Sequence, residues 1–125
     1  MPREAPLRLV LVDDYQPLRQ LLTELLTPRG IEVVGEAGEG SQALDVLERT
    51  PCDIVVMDLN MPGMNGLEAT KRIAQRHPDV RIVAFTSTDD PPAIRSLLDA
   101  GAAEHFHKLD MDGLIDYLAT AAITR

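Results

Sequence analysis

The chain has 125 residues, 45% of them apolar and 26% charged, a length and balance that suit one soluble globular domain with a proper core. A net charge of −8 and a 3% aromatic content without Trp argue against a domain that itself grips nucleic acid, which needs a basic patch or stacking platforms. No apolar run approaches a membrane span, no charged-then-apolar leader suggests secretion, and the single Cys52 has no internal disulfide partner, so a reducing cytoplasm is expected.

After a short lead-in over residues 1–5, the run L-R-L-V-L-V at Leu7–Val12 reads as a first strand and ends in Asp13-Asp14. Leu18, Leu21, Leu22, Leu25 and Leu26 then recur at helical spacing and predict one buried stripe. Pro17 fits only the first turn of that helix, and Pro28-Arg29-Gly30 stops it. Ile31–Ala37 (I-E-V-V-G-E-A) predicts a second strand, nearer an edge because Glu32 and Glu36 interrupt it. A second helix is expected over residues 41–49, with Ala43, Leu44 and Leu47 inward.

Ile54, Val55, Val56 and Met57 run without alternation, the pattern of a strand buried on both faces. That strand ends abruptly in Asp58, and Pro62, Gly63, Asn65 and Gly66 mark the loop beyond it. A third helix over residues 65–76 presents Leu67, Ala69, Thr70, Ile73 and Ala74. V-R-I-V-A-F at residues 80–85 predicts a fourth strand running into Thr86-Ser87-Thr88. Asp89-Asp90-Pro91-Pro92 signals the start of a fourth helix that reaches Ala100 and is capped by Gly101. Residues 104–107 predict a short fifth strand ending in Lys108, followed by a helix with Met111, Leu114, Ile115, Leu118 and Ala122 inward. Five β–α units predict an α/β fold: a doubly wound, five-stranded parallel sheet with five helices on its two faces, and the whole of residues 1–125 as one domain.

In a parallel sheet all the strand ends lie along one edge, where such folds bind ligands. Asp13, Asp14, Asp58, Thr86 and Lys108 are therefore expected to converge there. Three carboxylates against one ammonium leave a charge deficit that a hard divalent ion with oxygen ligands would cancel. Asp58 is then the candidate nucleophile toward phosphorus, with Lys108 and the metal offsetting charge on the transferring oxygens. Each feature has a plainer explanation when taken singly: a helix N-cap pair at Asp13-Asp14, a helix-entry hydroxyl at Thr86, a solvated Lys108. His107 reads as a surface residue, and Met57, Met61 and Met64 as packing and loop residues rather than ligands.

With these motifs in hand, the chain resembles a bacterial two-component response-regulator receiver domain of the CheY-like, flavodoxin-like (βα)5 kind. The resemblance rests on V-D-D ending at Asp14, D-I-V-V-M-D-L-N-M-P-G-M-N-G over residues 53–66, F-T-S ending at Ser87, and A-G-A-(x)5-K ending at Lys108. The wording G-L-E-A-T after Asn65 is similar to NarL-type receivers. The resemblance implies that Asp58 is the phosphoacceptor, that Asp13, Asp14 and Asp58 with the backbone carbonyl of Asn60 hold Mg2+ (or Mn2+), and that Thr86 and Lys108 contact the phosphoryl group. It implies that His105 is the switch aromatic, turning from an outward to an inward rotamer on phosphorylation. The implied donor is a sensor histidine kinase or phosphotransfer protein, and the implied output face is the fourth helix, fifth strand and fifth helix, with a homodimer on phosphorylation. Control of transcription through an attached or partner domain is the expected output, and a stand-alone receiver acting by protein contact is the alternative. Direct nucleic-acid or membrane binding by this domain and turnover of a separate substrate are not expected. Two departures stand out: Leu109 where many members have Pro, and Ser87 where a smaller residue is common. An Asp-nucleophile phosphohydrolase is a weaker alternative, because Asn60 stands where the haloacid-dehalogenase-like pattern has a second Asp.

Overall fold

A computed structural model describes residues 5–124; most of the lead-in lies outside them. The strands are β1 (Leu7–Val12), β2 (Ile31–Ala37), β3 (Ile54–Met57), β4 (Arg81–Thr86) and β5 (Ala102–His107). The helices are α1 (Gln16–Leu26), α2 (Gly40–Arg49), α3 (Gly66–Arg76), α4 (Pro91–Ala100) and α5 (Met111–Thr124), with a 3₁₀ turn at Thr27–Arg29. All strand pairings are parallel and the sheet order is β2-β1-β3-β4-β5. The expected doubly wound sheet is therefore observed, with the glutamate-interrupted β2 at an edge.

The sheet divides two apolar layers. On one face Leu9, Leu11, Ile54, Val56, Val83 and Phe85 pack with Leu22 and Leu26 of α1 and Leu114 and Leu118 of α5. On the other, Val10, Val12, Val55, Met57 and Ala84 pack with Ala43 and Leu47 of α2, Ala69 and Ile73 of α3, and Leu97 of α4. Period-two alternation sends neighbouring strand residues to opposite apolar layers, so β3 reads as an unbroken apolar run, while β1 and β4 carry one arginine each near their starts, Arg8 and Arg81. Every residue of β3 is buried.

Differences from the sequence reading are local. β4 begins and ends one residue later than expected, so Thr86 closes the strand, and β5 starts at Ala102. Of the two early residues of β5, Ala102 pairs with Ile82, and Ala103 is passed over at a register shift between Ile82 and Val83. Leu21 was expected in the α1 stripe, yet it is 43% exposed, because Leu18, Leu22, Leu25 and Leu26 already cover the sheet there. Among the described residues no helix is long and apolar enough to cross a membrane.

Candidate acid–lysine site at the strand ends

Each of three functional side chains stands one residue past a strand, and each is pinned by a backbone hydrogen bond to a neighbouring strand. Asp13 N–H donates to Ala37 O at 3.0 Å, Asp58 N–H to Val12 O at 2.9 Å, and Lys108 N–H to Thr86 O at 3.1 Å. The ladder thus positions the site before any side chain acts. Asp13 is further fixed through its Oδ1, which accepts the Tyr15 N–H at 2.9 Å. Asp13 and Asp58 are buried, at 6% and 4% exposure, whereas Asp14 is exposed.

One carboxylate oxygen from each of Asp13, Asp14 and Asp58 falls within a group no more than 4.8 Å across. Lys108 Nζ lies between two of these residues, 2.8 Å from Asp13 Oδ2 and 3.2 Å from Asp58 Oδ2. The expected convergence of the three aspartates and the lysine is observed, and Lys108 is a paired residue rather than a solvated one. Thr86, at the end of the adjacent strand, is fully buried and its Oγ1 has no hydrogen-bond partner. A buried hydroxyl is normally paired, so this one is available to a ligand.

Burial pushes the Asp58 carboxyl above its ordinary range, and the charge of Asp13 adds to the shift; Lys108 and the Asn60 backbone N–H oppose it without cancelling it. Burial also works to lower Lys108, but its contacts with Asp13 and Asp58 outweigh it, and its pKa is raised. The two ends of the Lys108–Asp58 contact therefore point opposite ways, the lysine gaining from it and the aspartate still strained. The direction at Asp58 governs its chemistry, because Asp58 is the more buried partner and the lysine sits closer to Asp13. The donor set, three clustered carboxylates short of positive charge, fits a hard cation with oxygen ligands.

The loop after Asp58 is held by glycine. A Cβ on Gly66 would collide with the Asp58 carbonyl, and Gly66 N–H donates to Leu59 O at 2.9 Å. Gly63, at φ +72°, takes the left-handed turn that most residues resist. Asn65 then caps α3, its Oδ1 accepting the Glu68 N–H at 3.0 Å. Asn60 is exposed in this loop.

Three features escaped the sequence reading. Arg19 Nη1 donates to the Asp13 carbonyl, and its Nε reaches Glu36 Oε1 at 2.9 Å, bracing the β1 end against β2. Nothing in one sequence separates such an arginine from a solvated one on α1. His107 is half-buried rather than a plain surface residue: its Nε2 lies 3.2 Å from Asp89 Oδ1 and its Nδ1 accepts the Leu109 N–H at 3.0 Å. His105 was expected to point outward, yet its Nε2 is buried and unpartnered, and burial, with some help from His107, lowers its pKa. A separate cleft lined by Leu7, Asp53, Ile54, Asp79 and Arg81 opens at the opposite, N-terminal edge of the sheet, away from this chemistry. Its Asp53 is already gripped by Arg8, at 3.2 Å.

A parallel sheet of order β2-β1-β3-β4-β5 with an acid–lysine cluster at its carboxyl edge places the chain in the flavodoxin-like class of receiver folds. Within that class, the chain belongs to the response regulator receiver domain family, which matches residues 9–119. It is 39% identical over 103 residues to the response regulator GacA of Pseudomonas viridiflava, covering 82% of this chain and 48% of that protein. It is 33% identical over 121 residues to the transcriptional regulatory protein DegU of Brevibacillus brevis, covering 95% of this chain and 51% of that one. Among solved structures, a LuxR-family two-component response regulator from Aurantimonas sp. SI85-9A1 superposes with a TM-score of 0.83 at 31% identity, over 95% of this chain and 89% of that one. The chain spans about half the length of the curated relatives it matches, at 48% and 51%.

Proposed function

We propose that this chain is the phosphoacceptor module of a two-component relay, and that Asp58 is the residue phosphorylated. The observation that carries the reading is the shared lysine: Lys108 Nζ within 3.2 Å of Asp58 and 2.8 Å of Asp13, beside a buried Thr86 hydroxyl with no partner. In the transfer, a carboxylate oxygen of Asp58 forms a bond to phosphorus. The bond from phosphorus to the donor's histidine nitrogen breaks, and its electron pair leaves with that nitrogen. Lys108 offsets charge on the phosphoryl oxygens, and Thr86 donates its hydroxyl to one of them. Asp13, Asp14 and Asp58, with the Asn60 carbonyl, would hold Mg2+ or Mn2+, which when bound supplies further neutralisation of the phosphoryl charge. The chain turns over no separate substrate in this reading; it catalyses only its own phosphorylation and dephosphorylation.

Thr86 moving onto the phosphoryl group, and His105 repacking beside α4, would carry the change to the α4–β5–α5 face. The donor is a sensor histidine kinase or a phosphotransfer protein in the cytoplasm. The regulatory names of the relatives, and their roughly double length, favour an output in transcription through an attached or partner domain, with dimerisation on phosphorylation. Incubation with a small acyl phosphate and Mg2+ tests the central claim. Mass spectrometry should show one added phosphoryl group, labile to mild alkali, that Asp58→Asn abolishes. An alkali-stable product, or one that persists in Asp58→Asn, would place the chemistry elsewhere.

A further inference from the structure

His107 occupies a position that the site chemistry leaves unexplained. It is the last residue of β5, it pairs in register with Thr86 across the β4–β5 ladder, and it immediately precedes Lys108. Its imidazole reaches both ways out of the strand. Nδ1 accepts the Leu109 N–H at 3.0 Å, and Nε2 meets Asp89 Oδ1 at 3.2 Å. The first contact dictates the second. A ring whose Nδ1 accepts carries its proton on Nε2, so in the neutral form Nε2–H is the donor to Asp89. The Leu109 N–H is what makes this possible, since a proline at that position would have none to give.

Together the contacts run Leu109 N–H to His107 to Asp89, from the loop after β5 to the loop after β4. Those are the two loops that leave Lys108 and Thr86. The bond from Lys108 N–H to Thr86 O, at 3.1 Å, joins the two backbones where the strands end. Asp110 N–H adds a bond to His107 O at 2.8 Å on the α5 side, and Thr88 Oγ1 accepts the Asp90 N–H at 3.2 Å on the α4 side. Without the imidazole, each loop is braced to itself and nothing described ties the segment beyond Thr86 to the segment beyond Lys108 through side chains. Asp89 is 89% exposed, and a pair whose acceptor lies in solvent contributes little to folding. A contact that adds little stability but spans the two loops beside a phosphoryl site acts on geometry.

We propose that His107 is a positioning residue: bridging Leu109 and Asp89, it holds the β4–α4 and β5–α5 loops so that Thr86 and Lys108 face the phosphoryl group on Asp58 together. The proposal rests on the reading of Asp58 as phosphoacceptor. The hydrogen bond rather than the charge of Asp89 makes the bridge, so Asp89→Asn keeps an oxygen acceptor and retains it. Asp89→Ala removes it, and His107→Ala removes both contacts.

The test is the rate of Asp58 phosphorylation from a small acyl phosphate with Mg2+, with thermal unfolding measured alongside. His107→Ala and Asp89→Ala should each slow the reaction by about tenfold, less than the roughly hundredfold that a misplacement of about 1 Å can cost. Their unfolding midpoints should stay close to wild type. Asp89→Asn should react like wild type, and the double alanine variant should be no slower than His107→Ala, because both changes break one bridge. Independently, 15N chemical shifts of the His107 ring near neutral pH should show the Nε2–H tautomer, and they should move in Asp89→Ala. Alanine variants at the wild-type rate, additive losses in the double variant, or an Nδ1–H tautomer would overturn the positioning role while leaving Asp58 intact. A wild-type chain that takes no phosphoryl group overturns the reading of Asp58 and the proposal with it.

Discussion

At the scale of single residues, Asp58 is held where ionisation is costly. Its carboxyl is buried and near Asp13, and both effects disfavour the anion more than Lys108 and the Asn60 N–H favour it. The consequence for stability follows from proton linkage. A group whose folded pKa is raised stabilises the fold below its unfolded pKa, and that contribution is lost as pH rises through the folded value. Asp58 therefore works against folding at neutral pH, starting from its ordinary value of 3.8 upward. Asp58→Asn removes the charge while keeping an oxygen for Lys108. In metal-free buffer at pH 7 the variant should unfold at a higher temperature than wild type, and the gap should close as the pH is lowered toward 3.8. Denaturation curves at several pH values in the presence of a chelator check this; a variant less stable than wild type at pH 7 would mean that the Lys108 pairing outweighs burial.

At the scale of elements, the helices hold the sheet and the end of β5 is the sensitive part. Leu118 of α5 is fully buried among Leu9, Leu11, Val83 and Phe85. Leu118→Ala should cost about 2–5 kcal/mol, the range for emptying such a site, read from urea unfolding. His105 differs in kind. Burial lowers its pKa from 6.5, His107 lowers it further, and Glu104 only partly opposes them. A lowered histidine favours the fold while neutral, and that contribution is lost as the pH falls from 6.5 through the folded pKa. His105→Phe cannot titrate, so its stability should fall less than that of wild type between pH 7 and pH 5; identical acid limbs in the two proteins would show that the ring is not protonated at cost. The buried Nε2 of this ring has no hydrogen-bond partner, a cost that an outward, solvated rotamer would relieve. Sequence could name His105 from its place before Lys108, but not the depth of its ring, which depends on how α4 lies across β5.

For the whole molecule, what the sequence made legible was whatever a strand end dictates locally. The apolar runs of β1 and β3 stop at Asp13 and Asp58, where the chain leaves the sheet for its carboxyl edge, so both the sheet and the carboxylate cluster could be read from one pattern. Arg19 and His107 were not legible, since each acts through a partner far along the chain or across a loop, Glu36 in one case and Asp89 in the other. The net charge of −8 was legible too, and it complicates any test of the acidic cluster. Added salt of any kind screens repulsion in such a molecule and raises its stability without a site. Specific binding must therefore exceed what NaCl does at equal ionic strength. A divalent cation at about 100 times its dissociation constant adds roughly 2.7 kcal/mol to the folded state. At about 4 °C per kcal/mol for a domain of this size, MgCl2 should raise the Tm by roughly 10 °C beyond matched NaCl. Asp14 supplies one of the three clustered carboxylates from an exposed position, so Asp14→Asn leaves the core untouched and removes one of the three charges. In that variant MgCl2 and NaCl should become nearly equivalent. Equal shifts from the two salts in the wild type would mean that the three carboxylates attract cations only as part of a diffuse field, and an undiminished difference in Asp14→Asn would move the binding site away from the strand ends.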